Sequence, residues 1–360
     1  MARVLKVDVR PTTEHDMHLP AFDNTKLTAI NTCPKWGLIR YEHHKVFDTG
    51  SRRMALEAGS ACHDFFAATR LYQLGYKQML PEHMHYHGIK QFKEERWNNM
   101  CAALKHADFD KTDALTFGLE ALQSGGFFDD PQDKRRTMSN LEEACIGYHD
   151  RWNFDGQEVF VMDREDPTSF VGCENTFDVV VQFTLTDAAE GEGLSYIECY
   201  RFCGKIDGVH TRKDDPSRIR IEENKTASRL NEAWSMSFDM AHQVTGYMVA
   251  MSAILSKVIR EAVVHGLTIP RPRNGVDAVV RVDVSRNDFQ IEQWASWFYH
   301  TIEIWKRYKD LPIDAPTYTH SCNRYFTACA YIPLCSSAKE EQLDIFNNQM
   351  ITDEWSPLHA

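Results

Sequence analysis

The sequence predicts an α/β fold, a mixed central β-sheet flanked by helices, with a helical insertion at 80–166 and a cysteine-rich C-terminal tail. Two observations carry that prediction. Apolar residues recur at helical spacing early and late in the chain, and a middle stretch from Ser169 to Glu222 changes to period-two alternation broken by turn residues. With 360 residues, 43% of them hydrophobic, the chain is long enough to bury a large core, read here as one domain over 1–360 carrying an insertion.

The elements follow in order. Thr28–Tyr41 reads as a short helical entry, and Leu56–Leu74 as a full helix. Pro81–Asp166 is rich in charge and aromatic residues, lacks β-branched alternation, and breaks at the Gly-Gly-Phe-Phe-Asp-Asp-Pro run Gly125–Pro131, which predicts helices. Ser169–Leu185, Ser195–His210 and Arg218–Glu222 read as strands of an antiparallel meander, separated by "TDAAEGEGL" and "RKDDPS". Trp234–Val264, apolar on all sides, predicts one long buried helix. Val276–Val284 alternates as a further strand, Asp288–Tyr308 predicts a second long helix, and the last fifty residues read as an irregular tail.

The N-terminal stretch has no apolar run of signal-peptide length, and charges interrupt every candidate membrane span, so the expected location is intracellular with no membrane partner. Ten cysteines in such a setting predict free thiols used for metal binding, catalysis or packing rather than disulfides. The formal net charge of -12 disfavours nonspecific adhesion to nucleic acid. Between Arg201 and Arg229, however, eight Lys or Arg stand against five Asp or Glu, a basic island in an acidic chain.

The chemistry-bearing residues concentrate around that island. In "RIEENKTA", Glu223 and Lys225 stand two apart on a strand and so share a face, while Glu222 faces the other way. Asp207 lies one hairpin earlier, beside Gly204 and Gly208. Two converging carboxylates repel unless a cation lies between them, and a hard divalent ion such as Mg²⁺ or Mn²⁺ resolves the conflict. Lys225 could then orient an attacking water or offset charge on a phosphate transition state. The competing reading is a surface hairpin with ordinary ion pairs. His63, four residues after Gly59 on the early helix, is either a ligand or an ordinary helix histidine. Glu174, amid apolar neighbours at the start of the first strand of the meander, needs a partner if buried. Gln243 and Tyr247 share one helix face and suit either substrate contact or core capping.

Taken together, the order G-x3-H (Gly59, His63), Glu174, G-x2-D (Gly204, Asp207), E-x-K-T (Glu223, Lys225, Thr226) and Q-x3-Y (Gln243, Tyr247) resembles the PD-(D/E)XK nuclease superfamily in its RecB-like branch. The resemblance covers about residues 25 to 75 and 170 to 340. It implies a restriction-endonuclease-like core in which His63, Asp207 and Glu223 bind Mg²⁺ or Mn²⁺, Lys225 is the catalytic lysine, Glu174 joins the catalytic set, and Gln243 and Tyr247 contact DNA.

The tail "HSCNRYFTACAYIPLCSS" places Cys322, Cys329 and Cys335 in a loop-like segment that something must fix. They are either small core residues or thiolates awaiting a fourth ligand for an iron–sulfur or Zn²⁺ site. Iron–sulfur members of the resembled branch carry one cysteine ahead of the nuclease core and three behind it. That implies a [4Fe-4S] cluster on Cys33, Cys322, Cys329 and Cys335, the segment 315–340 pairing with the region around Cys33, with Zn²⁺ as the alternative. The x6 gap between Cys322 and Cys329 departs from the shorter gap of those members. Cys62, Cys101, Cys145, Cys173, Cys199 and Cys203 are assigned to packing.

The implied function is a metal-dependent deoxyribonuclease, an exonuclease on single strands or duplex ends, in recombination, repair or phage DNA processing. Its expected setting is the cytoplasm of a bacterium or phage-infected host. No G-x4-G-K-[ST] loop occurs, so any helicase or recombination motor would be a separate partner. The alternative is a protein of the same fold that binds DNA ends without cutting.

Overall fold

The computed structural model describes residues 2–48, 54–74, 113–124, 126–152, 156–162, 172–187, 195–270, 278–324 and 327–355. Much of the 80–166 insertion, and Cys101 with it, lies outside the described residues.

In chain order, β1 (Ala2–Pro11) and β2 (Ala21–Phe22) precede helices α1 (Asn24–Thr32) and α2 (Pro34–Tyr41), then β3 (Lys45–Val46) and the long helix α3 (Met54–Leu74). Helices α4 (Ala114–Ser124) and α5 (Met138–Trp152) lead to β4 (Gln157–Val159) and to the strands β5 (Cys173–Asp187), β6 (Ser195–Arg212) and β7 (Asp215–Ala227). The short helix α6 (Glu232–Met236) and α7 (His242–Leu255) connect to β8 (Glu261–Thr268), followed by β9 (Val279–Ser285) and α8 (Asp288–Tyr308). The tail holds β10 (Asn323–Arg324), β11 (Thr327–Ala328), α9 (Ile332–Cys335), α10 (Lys339–Asp344) and β12 (Ile351–Thr352).

The main sheet has the order β1-β5-β6-β7-β8-β9, with β2 and β4 pairing on β6. It is mixed: β7 runs antiparallel to β6 and parallel to β8, so the α6–α7 connection is a crossover. Residues Ile219 to Asn224 of β7 are all buried, the signature of a strand covered on both faces. That burial has a chemical consequence, because Glu222, Glu223 and Asn224 are polar and each needs a partner.

Two compact units compose the chain: Met1–Ser51, Asp178–Gly204 and Asp288–Ala360 form the first, and Arg52–Phe177 and Lys205–Asn287 the second. In the first, Phe22 and Phe183 pack edge to face on Phe298, as do Phe202 on Trp294 and Trp294 on Phe298. The tail of this unit is tied in by β12, which pairs with β3. In the second, Phe65 and Phe66 of α3 meet Leu141, Ala144, Cys145 and Tyr148 of α5. Those four α5 residues fall at i, i+3, i+4 and i+7, one helix face. The described end of the insertion is therefore core.

Two sequence expectations change. The single helix over Trp234–Val264 is replaced by α6, α7 and β8. Ser256, at a left-handed φ of 51°, caps α7, and the run that follows is a strand buried almost throughout, which has no alternation to distinguish it from helix. The N-terminal segment, given no element, is β1, paired antiparallel with β5.

Candidate metal centre

Cross-strand pairing of β6 with β7 sets Gly208 opposite Glu222, which puts Asp207 beside Glu223 at the neighbouring position. The main-chain N–H of Asn224 donates to Asp207 Oδ2 at 2.6 Å, and Asp207 Oδ1 lies 3.2 Å from His63 Nδ1. Helix α3 can approach this point because residue 59 is glycine: a Cβ there would sit 3.1 Å from Thr226 Oγ1 of β7. Glu174 arrives from the start of β5, buried, with a φ of 50° that a non-glycine residue adopts only at a cost of roughly 1–3 kcal/mol. His63, Glu174 and Asp207 each offer a ligand atom, and these atoms all lie within 4.8 Å of one another.

Glu223 is on the same side of β7 but is engaged differently. Its carboxylate pairs with the Lys225 ammonium, and Oε1 accepts from Gln243 Nε2 at 3.0 Å. Gln243 Nε2 also donates to Tyr247 Oη at 2.8 Å, and the Tyr247 ring packs edge-on against Phe177. The two α7 residues thus hold Glu223 in place. Sequence reasoning missed Lys205, whose ammonium lies 2.5 Å from Glu174 Oε2. Its position two residues before Asp207 on the same strand face was the available signal.

The electrostatics follow from three carboxylates packed against three cations. Burial pushes Glu174 up, opposed by Lys205 and reinforced by Asp207. Burial likewise pushes Glu223 up to about 7, with Asp207 adding and Lys225 opposing. For Asp207 burial acts upward too, but His63, Lys225 and the Asn224 N–H hold it below the usual carboxylate range. Burial would lower His63, yet Asp207 and Glu174 carry it to about 9. Lys225 is raised by Glu223 and Asp207 against the same desolvation. In this arrangement His63, Lys205 and Lys225 neutralise the carboxylates. One imidazole and hard oxygens at this spacing fit a divalent cation, with His63 in its neutral form.

The opposite face of β7 holds a second polar cluster that the sequence reading did not include. Arg70 reaches Glu222 through Nε (3.2 Å) and Nη2 (2.7 Å), His210 Nδ1 lies 2.7 Å from Glu222 Oε2, and Tyr148 Oη donates to Asn224 Oδ1 at 2.9 Å. Glu222 is held well below the usual carboxylate range: burial opposes this, and Arg70 and His210 overcome it.

In the first unit, Cys33 ends α1 and caps α2, and the N–H of Cys329 donates to the carbonyl of Cys322 at 2.8 Å. Cys329 and Cys335 pack against Ile39, Tyr331 and Leu334. Burial raises the Cys335 thiol to about 11, Lys35 opposes, and Cys33, Cys329 and Cys322 push it further up. Cys329 is raised by burial, and by Cys33 and Cys322. The four thiols therefore gather at one place. A preformed tetrahedral Zn²⁺ site would hold its sulfurs about 3.8 Å apart, from Zn–S bonds of about 2.3 Å. Among the described residues no three of these thiols approach within 4.8 Å of one another.

Cys62, Cys145, Cys173 and Cys203 are buried free thiols, and Cys199 is half-buried. The basic island is largely neutralised. Arg201 pairs with Asp178, Lys205 with Glu174, Arg212 with Asp214, Lys213 with Glu158, Arg218 and Arg220 with Glu261, and Lys225 with Glu223. No described helix is long and apolar enough to cross a membrane. No protein-family model matches this chain, and no curated protein matches it.

Proposed function

We propose that this protein is a divalent-metal-dependent DNA nuclease of the PD-(D/E)XK type, RecB-like branch, acting on single strands or duplex ends. The observation that carries the reading is the convergence of His63, Glu174 and Asp207 within 4.8 Å beside the Glu223–Lys225 pair. Mg²⁺ or Mn²⁺ bound there would polarise a phosphodiester and lower the pKa of water. His63, Glu174 and Asp207 would hold the cation, and Glu223 would join them if its pair with Lys225 opened. Lys225, about one-third exposed, would meet the phosphate and offset its developing negative charge. Gln243 and Tyr247 keep Glu223 aligned and border the path of the DNA backbone. A [4Fe-4S] cluster on Cys33, Cys322, Cys329 and Cys335, with Zn²⁺ as the alternative, would fix the tail within the first unit.

The test is cleavage of labelled single- and double-stranded DNA in Mg²⁺ or Mn²⁺. Metal-dependent degradation abolished by Asp207→Ala is the expected result; DNA-end binding with no cleavage, unchanged in Asp207→Ala, would support a non-cutting protein instead. An anaerobic preparation should be brown and lose its visible absorbance in Cys329→Ser, whereas a colourless zinc-containing one refutes the cluster.

A further inference from the structure

The cluster behind β7 is joined to the candidate metal centre through one residue. Asn224 is held on the rear face by Tyr148 Oη at its Oδ1 (2.9 Å), and its own Nδ2 donates to Glu222 Oε1 (3.2 Å). Its main-chain N–H crosses to the front and holds Asp207 Oδ2 at 2.6 Å. Glu222 is fixed in turn by the two-point contact from Arg70. Arg70 stands seven residues after His63 on α3, two turns along the same helix face. Tyr148 is also 3.0 Å from His265 Nδ1 on β8. Arg70, Tyr148, Glu222, Asn224 and His265 are all buried.

Burying an arginine–glutamate pair adds little net stability over apolar side chains of the same volume, so stability alone is a poor account of it. What the chain of bonds does fix is geometry. It sets the β7 peptide that holds one oxygen of Asp207, and it ties that peptide to the helix that carries His63. We propose that Arg70, Tyr148, Glu222 and Asn224 are positioning residues that set the separation of Asp207 from His63 and Glu174, and thereby the metal affinity of the site. The inference rests on reading that trio as a cation site.

Removing a group bonded directly to a metal ligand lowers affinity about 10- to 100-fold; the Tyr148 and Asn224 side chains act one bond further out, through the Asn224 peptide, so a smaller effect is expected. Tyr148→Phe deletes only the hydroxyl, and its ring keeps the contact with Phe66 at 4.4 Å between centroids. Glu222→Gln removes the buried carboxylate opposite Arg70 and endangers folding, which makes Tyr148→Phe and Asn224→Ala the working variants. Mn²⁺ binding is measured by electron paramagnetic resonance of the free ion, in wild type, in both variants and in Asp207→Ala, alongside circular dichroism melting and DNA cleavage kinetics. The expected result is a Kd for Mn²⁺ raised several-fold, up to about tenfold, in both variants, with helical content kept. At subsaturating metal kcat falls, with KM for DNA unchanged. Wild-type protein that binds no Mn²⁺ refutes the cation site and this inference with it. Wild-type binding that Asp207→Ala abolishes and both variants retain at full affinity refutes the positioning role alone, even if their melting temperatures fall.

Discussion

The Arg70–Glu222 pair offers the sharpest energetic test, because both side chains are almost fully withdrawn from water, at 6% and 1% exposure. Glu222→Gln keeps an amide oxygen for Asn224 but removes the carboxylate paired with the guanidinium; Arg70→Met leaves the carboxylate to His210, His265 and Asn224 Nδ2. Breaking a buried pair from one side costs about 3–5 kcal/mol, much of it the penalty of the stranded charge. The double variant Arg70→Met/Glu222→Gln strands neither, so its cost should fall below the sum of the singles by roughly 2 kcal/mol or more. Since the chain forms two units, the readout is the opening free energy of β7 and β8 amides by native-state hydrogen exchange, not a global unfolding midpoint. Glu222 adds a pH signature. Its folded pKa lies well below the ordinary 4.5, so its stabilisation is complete above that value and is lost as pH falls through the folded pKa. Wild-type β7 should therefore lose protection in acid more steeply than the double variant. Single variants costing under about 1 kcal/mol, or a double variant that is strictly additive, would refute the reasoning.

Two further outcomes follow from charges elsewhere. Because His63 sits near 9 in the metal-free protein, it is protonated at pH 7 and must release that proton to bind a cation. Calorimetric Mn²⁺ titrations in buffers of different ionisation enthalpy should show at least one proton released at pH 7, and affinity rising about tenfold or more per unit toward pH 9; equal affinity at both pH values contradicts this. In the first unit, Asp23 caps α1 by accepting from the Lys26 N–H at 2.7 Å, yet burial pushes its pKa up to about 6. The folded state then binds the Asp23 proton more tightly than the unfolded chain, so this contribution is greatest below pH 4 and falls as pH rises to 6. Asp23→Asn keeps the cap and removes the buried charge, and should stabilise the α1 amides at pH 8 but not at pH 4 by hydrogen exchange. Destabilisation at pH 8 would show that the ionised cap outweighs its desolvation.

The two neighbouring glutamates of β7 show why part of this site was legible in the sequence and part was not. Strand alternation alone separates Glu222 from Glu223, and the same rule puts Lys225 with Glu223. The spacing of Gly59 and His63 is a local helical fact, and the structure supplies its reason in the close approach of Thr226. What alternation cannot supply is the company a side chain keeps. Glu222 looked like the spare carboxylate, yet it meets Arg70, His210 and His265, brought from three separate elements, and its pKa falls while that of Glu223 rises to about 7. The error at residues 261–264 has the same origin: a strand covered on both faces loses its alternation and reads as helix. A strand covered on both sides must satisfy its polar residues on both sides. That requirement makes the rear of β7 as chemically demanding as its front, and explains why Asn224 touches both.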